Sequence, residues 1–174
     1  MKKKLLLSLF AVCAVFTVLV ACGPSRAMLN MYDNDAAIGR SSPTRCGTPG
    51  FGDNYFWRLT TFSERPGGAT AEFSDFSGVK TLGTVSIGGD TAFELNINMS
   101  GGSGKLKFVL VTNGYVFRLW EGILESREDI YNKRFDGIIS VGQLRAEYPD
   151  HDFDGDYLVR MVGHKASAEF TIEW

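Results

Sequence analysis

Cysteine, histidine and surplus positive charge are all scarce in this chain, and each shortage excludes a class of protein. The three cysteines, Cys13, Cys22 and Cys46, show no Cys-x-x-Cys spacing, so neither a disulfide framework nor a cysteine-rich zinc site is encoded. The two histidines, His151 and His164, belong to no His-Glu-x-x-His run, and Gly-x-Ser-x-Gly is absent too. No reactive constellation for nucleophilic or metal-assisted catalysis is legible, and the chain reads as a non-enzyme. Eighteen Lys and Arg against 20 Asp and Glu give a net charge of −2, without the basic excess that nucleic acid requires. Long hydrophobic runs are also missing. The apolar stretch that begins at Leu5 falls short of the ~20 residues of a membrane span.

That short apolar stretch has a context of its own. Lys2, Lys3 and Lys4 precede it, and Leu19-Val20-Ala21-Cys22 closes it. A charged head, a brief greasy middle and small residues before a cut site describe an export signal over residues 1–21. Leu-Val-Ala-Cys resembles the lipobox of bacterial lipoproteins. The resemblance implies cleavage before Cys22, diacylglycerylation of its thiol, and a chain held on the extracytoplasmic face of the cell membrane. Two acyl chains suffice for stable anchoring without a polybasic patch. Loss of the three lysines would leave a mildly acidic body of net charge −5, and Cys46 without an intrachain partner.

Residues 22–54 are rich in Gly, Pro, Ser, Asn and Asp and show no apolar period, so they are read as a flexible tether with a reach of about 30 Å. Met28, Leu29, Met31 and Tyr32 would form at most a brief apolar turn. From Tyr55 onward, short runs of Val, Ile, Phe and Leu alternate with turn residues. Phe93, Leu95, Ile97 and Met99 alternate with Ala92, Glu94, Asn96 and Asn98, the period of a half-buried strand. Lys105–Thr112, Asn113-Gly114 and Tyr115–Glu121 spell a hairpin with a two-residue type I′ turn. Counting out from that turn pairs Leu110 with Phe117 and Phe108 with Leu119 on one face. Val111 with Val116, Val109 with Arg118 and Lys107 with Trp120 fall on the other.

Between 126 and 149 the strand pattern lapses. Ser126 with Asp129 marks a helix start, and Val141 to Tyr148 a second short helix or a loop, so this segment is read as an insertion. Strands resume at Asp156–Val162 and Ala166–Trp174. About eight strands without a βαβ rhythm predict an all-β fold over 55–174: an antiparallel two-sheet β-sandwich, jelly-roll-like or immunoglobulin-like, with a short helical or loop insertion. Gly155 to Gly163, followed by Ala166 to Trp174, is similar to the ending of small β-sandwich domains in Gram-positive surface lipoproteins. That family has no established activity, so the resemblance implies fold and location alone.

Two stretches carry candidate chemistry. Asp150, Asp152, Asp154 and Asp156 alternate ahead of or around Gly155, as carboxylates do in the first half of an EF-hand calcium loop. Met161 stands where the bidentate Glu should be, so a complete EF-hand is excluded. The alternatives are a looser calcium loop, calcium being the one cofactor implied, or a solvated acidic turn. The second stretch is the outer hairpin face, where Lys107, Arg118 and Trp120, with Lys105, would combine an aromatic plane with cationic donors. Such a face suits a sugar or an anionic polymer unless another layer covers it, and exposed Phe56 or Trp57 would extend it. The chain is thus expected to be an anchored binding or interaction module for a glycan or an envelope protein, with a calcium-supported carbohydrate-binding module as the alternative.

Overall fold

A computed structural model describes residues 30–40, 55–100, 104–124 and 133–174, with the side chains of 40 and 55–60 left aside. The export signal, Cys22, Cys46, the Ser126 helix start and the side chains of Phe56 and Trp57 lie outside this description. Seven antiparallel strands dominate: β1 (Tyr55–Arg65), β2 (Gly68–Ile87), β3 (Ala92–Ser100), β4 (Gly104–Thr112), β5 (Tyr115–Leu124), β6 (Lys133–Ser140) and β7 (Gly155–Glu173). Two short helices, α1 (Asp35–Arg40) and α2 (Val141–Glu147), complete the described elements.

The strands β2 and β7 run through both layers of the fold. Their first and last halves pair with each other over Gly68–Phe73 with Ala168–Glu173, then over Gly78–Ile87 with Gly155–Gly163. Between these two stretches the ladder is irregular, and Asp75, Gly78 and Lys165 take positive φ (55°, 118° and 51°). Bulges of this kind bend a strand and let it change sheets, as at the corner of an orthogonal sandwich. One layer therefore has the order β1-β2-β7-β3-β6, and the other continues β2-β7-β4-β5. Asp156–Val162 and Ala166–Trp174, anticipated as two strands, are the two halves of the single bent strand β7.

Alternation fills the space between the layers. Leu95 and Ile97 of β3, Leu106, Phe108 and Leu110 of β4, and Phe170 and Ile172 of β7 are all buried in one core. Phe108 meets Phe170 edge-on at 4.9 Å, and Trp120 of β5 reaches Phe135 of β6 at 5.8 Å. A tilted or edge-on ring pair adds roughly 0.5–1.5 kcal/mol beyond its buried area.

Two boundaries read from sequence are corrected here. Lys133–Ser140, inside the presumed insertion, is a strand that pairs with β3 along its whole length. Its alternation is blurred by Gly137 and by a solvent-exposed Ile138. Asn30 to Gly39, inside the presumed tether, folds back as a strap over the outer face of β4, β5 and β7. Asn34 caps α1 by accepting the Ala37 N–H at 3.0 Å. Tyr32 and Ile38 are buried against Val79, Val109, Val111 and Val162. A sheet face with four aliphatic side chains requires a cover, and Tyr32 from the turn before α1 with Ile38 from α1 supplies it.

The strap is also held by polar groups. Arg160, fully buried, donates through Nε to Thr81 Oγ1 at 3.2 Å and through Nη1 to the Ile38 carbonyl. The guanidinium thus satisfies a carbonyl at the helix end, where the backbone has no partner of its own. Gly39 lies so close to the turn of the hairpin that a Cβ there would stand 2.7 Å from the Gly114 carbonyl oxygen. Only glycine permits that approach.

Candidate functional site

The hairpin forms as read at its tip and departs from the reading at its base. Asn113 and Gly114 take φ of 47° and 84°, and Leu110–Phe117, Val109–Arg118 and Val111–Val116 are paired. Beyond Val109 the register shifts by one, so Leu119 is an extra residue and Phe108 faces Trp120. This bulge turns Trp120 inward. It is 9% exposed and packs at 6.2 Å from Phe108.

The anticipated outer face of Lys107, Arg118 and Trp120 is therefore not assembled. Lys107 lies under the strap, 5.0 Å above the Tyr32 ring and 3.5 Å from Asp35, and Lys105 sits 5.5 Å from the same ring. Arg118 reaches Glu121 and Glu147, each at 3.2 Å. The strap that covers the cations was unreadable because its cover consists of only two buried residues.

The aspartate loop is likewise dispersed. Asp152 Oδ1 accepts the backbone N–H of Asp154 at 3.1 Å, Asp154 pairs with Arg145 at 3.0 Å, and Asp156 accepts from Ser86 Oγ on β2. Asp150 lies at the rim of a different feature. Among the described residues no three Asp, Glu, His or Cys side chains gather around a point where a metal ion would sit. The repulsion expected of four neighbouring carboxylates is relieved by separate partners.

What this part of the chain does build is an aromatic cleft. Ser140 and Gln143 form a capping box that starts α2, whose Val141 and Leu144 are buried. Pro149 ends it by forcing Tyr148 out of helical geometry (φ −126°, ψ 69°). A turn closed by the His151 N–H on the Tyr148 carbonyl then brings His151 back over the hairpin. Tyr115 and Phe117, two apart on β5, share the facing side. The result is an open cleft of about 400 Å³ lined by Tyr115, Phe117, Tyr148, His151, Glu147 and Asp150, with Pro149.

Phe117 is its floor. The His151 ring lies 4.1 Å from it at 33°, Tyr148 stands edge-on at 5.2 Å, and fully buried Phe153 supports it from behind at 4.9 Å. Tyr115, 63% exposed, lies nearly parallel to Phe117 at 6.4 Å. An exposed aromatic ring beside a rigid buried one costs little side-chain entropy to use, since the walls are already in place.

The polar groups of the cleft are directional. Tyr157 donates its hydroxyl proton to the Asp152 carbonyl at 3.2 Å, and its oxygen lies 2.9 Å from His151 Nε2. The Tyr157 oxygen thus joins the His151 ring to the backbone of the aspartate loop. Burial pushes the Tyr157 phenol above its ordinary range, and Asp152 and Asp154 push the same way. Burial also raises the Tyr148 phenol, opposed by the Arg118 backbone N–H that it accepts at 3.2 Å and reinforced by Glu147. That accepted N–H belongs to the outer edge of β5, so Tyr148 also closes part of an unpaired strand edge.

Sequence reasoning named Asp150 but none of the cleft's rings as site residues. The signals available were Tyr115 and Phe117 flanking the turn on one face, and the Tyr-Pro-Asp-His run after a helix. No protein-family model and no characterised protein sequence matches the chain. A solved chain of the infectious bursal disease virus Gt strain aligns with 78% of this chain at 11% identity and a TM-score of 0.27, and the alignment spans 38% of the viral chain. That similarity carries no functional argument.

Proposed function

We propose that this chain is a lipid-anchored, extracytoplasmic binding module that engages its ligand at the cleft between the β4–β5 hairpin and the turn after α2. The observation that carries the binding role is the preformed, solvent-open aromatic cleft. The export signal and the Leu-Val-Ala-Cys run support the anchoring. A binding role is preferred to catalysis because the one histidine in the cleft has its Nε2 engaged by Tyr157, and among the described residues no Ser, Thr or Cys lines the cleft. The saccharide alternative loses the platform it rested on, since Trp120 is in the core. Calcium is not needed by this reading.

Anchoring is tested by labelling producing cells with an alkyne palmitate and comparing the chain with its Cys22→Ser variant. The expected result is label on the unaltered chain, no label on the variant, and digestion of the anchored chain by protease added to cells stripped of outer barriers. An unlabelled chain that retains residues 1–21 would overturn it.

A further inference from the structure

The chemistry of the cleft walls narrows the ligand, on the premise that the cleft is the binding site. Behind the cleft, Tyr157 spends its hydroxyl proton on the Asp152 carbonyl, and its oxygen engages His151 Nε2. What faces the space is π surface with two carboxylates. Asp150 is an exposed carboxylate at the rim, and Glu147 is a second one shared with Arg118. The exposed ring face of Tyr115, with Tyr148 beside the cleft, supplies the negative π surface that attracts a cation.

An anion would meet two carboxylates at close range. A ligand that only donates, or that carries positive charge on methyl groups, meets every wall favourably. We infer that the cleft binds an alkylammonium group, its positive end set against the Tyr115 ring beside Tyr148 and faced by Asp150. Contact with a ring face offsets the desolvation cost, which is smaller for an alkylated ammonium than for a compact, strongly hydrated ion. The acidic rim adds attraction that salt screens over about 10 Å.

The test is a titration of the full chain, purified in an uncharged detergent, with choline, with Nα-acetyl-lysine amide and with N-acetylglucosamine, followed by NMR shifts of the Tyr115 and His151 rings. The expected result is saturable binding of choline or of the lysine amide, weakened about tenfold by Tyr115→Ala and by Asp150→Asn and weakened by added salt. Choline alone identifies a methylated ammonium and the lysine amide alone a primary one, and either supports the assignment. Tyr115 is exposed and Asp150 lies at the rim, so both variants are expected to fold, which unchanged melting temperatures would verify. Binding of neither cation, or binding indifferent to both substitutions, overturns the inference. Saccharide binding lost in Tyr115→Ala also overturns it, while leaving the cleft as the site of a binding module.

Discussion

The hydroxyl of Tyr32 donates a 2.7 Å hydrogen bond to Glu121 Oε1, joining the strap to the edge strand β5. Arg118 donates to the other oxygen of Glu121 and, through its second nitrogen, to Glu147 at the cleft. Tyr32→Phe removes one hydrogen bond to a charged acceptor and leaves the ring packed beneath Lys105 and Lys107. A loss of about 1–2 kcal/mol is expected in urea unfolding, with the denaturant slope unchanged.

The same pair sets a pH window. Burial raises the Glu121 carboxyl, but the bonds from Tyr32 and Arg118 outweigh it and hold the group below its ordinary value of 4.5. Its contribution is therefore complete above that pH and is lost as pH falls through the lower folded value. Burial, then Glu121, raises the Tyr32 phenol far above its ordinary 10.0, so the Tyr32 contribution is complete below pH 10 and is lost as pH rises beyond it. Hydrogen exchange of the amides at 30–39 should be slowest between these limits and quicken at both, after correction for the intrinsic pH dependence. In Tyr32→Phe the alkaline limb should vanish.

Ile38→Ala deletes a fully buried side chain from the strap's contact with the sheet. Large-to-small substitutions of this type cost about 2–5 kcal/mol in a core that cannot collapse. The strap is one short helix free to readjust, so the lower end of that range is expected. Gly39→Ala should act in the same direction, because the added methyl meets the Gly114 carbonyl. Limited proteolysis within 30–40 checks both, with faster cleavage than in the unaltered chain.

Trp120→Ala is expected to cost about 3–5 kcal/mol of stability through the cavity it leaves against Phe108 and Phe135. A ligand-contact role for Trp120 predicts the opposite pattern, loss of binding at unchanged melting temperature. Thermal denaturation alongside a choline titration at a temperature where the variant is folded separates the two.

Millimolar calcium should leave the melting temperature unchanged, since Asp152, Asp154 and Asp156 are each committed to separate partners. Asp154→Ala should lower stability by less than about 1 kcal/mol, the value of an exposed ion pair with Arg145, with or without calcium. A calcium-dependent rise in melting temperature, abolished in that variant, would restore a metal site here.

The all-β class, the Asn113-Gly114 hairpin tip and the alternation of β3 were legible because each depends on local chemistry: positive φ at two turn residues, or one wet and one buried strand face. The bulge at Leu119 was not. An extra residue in a ladder leaves no mark when Leu119 and Trp120 are both apolar, yet it moved Trp120 from one face to the other and dissolved the Lys107–Arg118–Trp120 patch. The bend of β7 at Lys165 read as a break between Asp156–Val162 and Ala166–Trp174, because positive φ serves turns and bends alike. The cleft was invisible for a different reason. Phe117 and His151 are far apart in sequence, and only the capping of α2 and the Pro149 stop bring the second over the first.

Because β2 and β7 pass from one layer into the other without interruption, neither layer can melt while its companion stays intact. Separating either one would tear both of the longest strands at mid-length. A single, sharp unfolding event shared by every part of the sandwich follows, and a pull on the chain from its N-terminal side would loosen the strap well before it threatened the sheets.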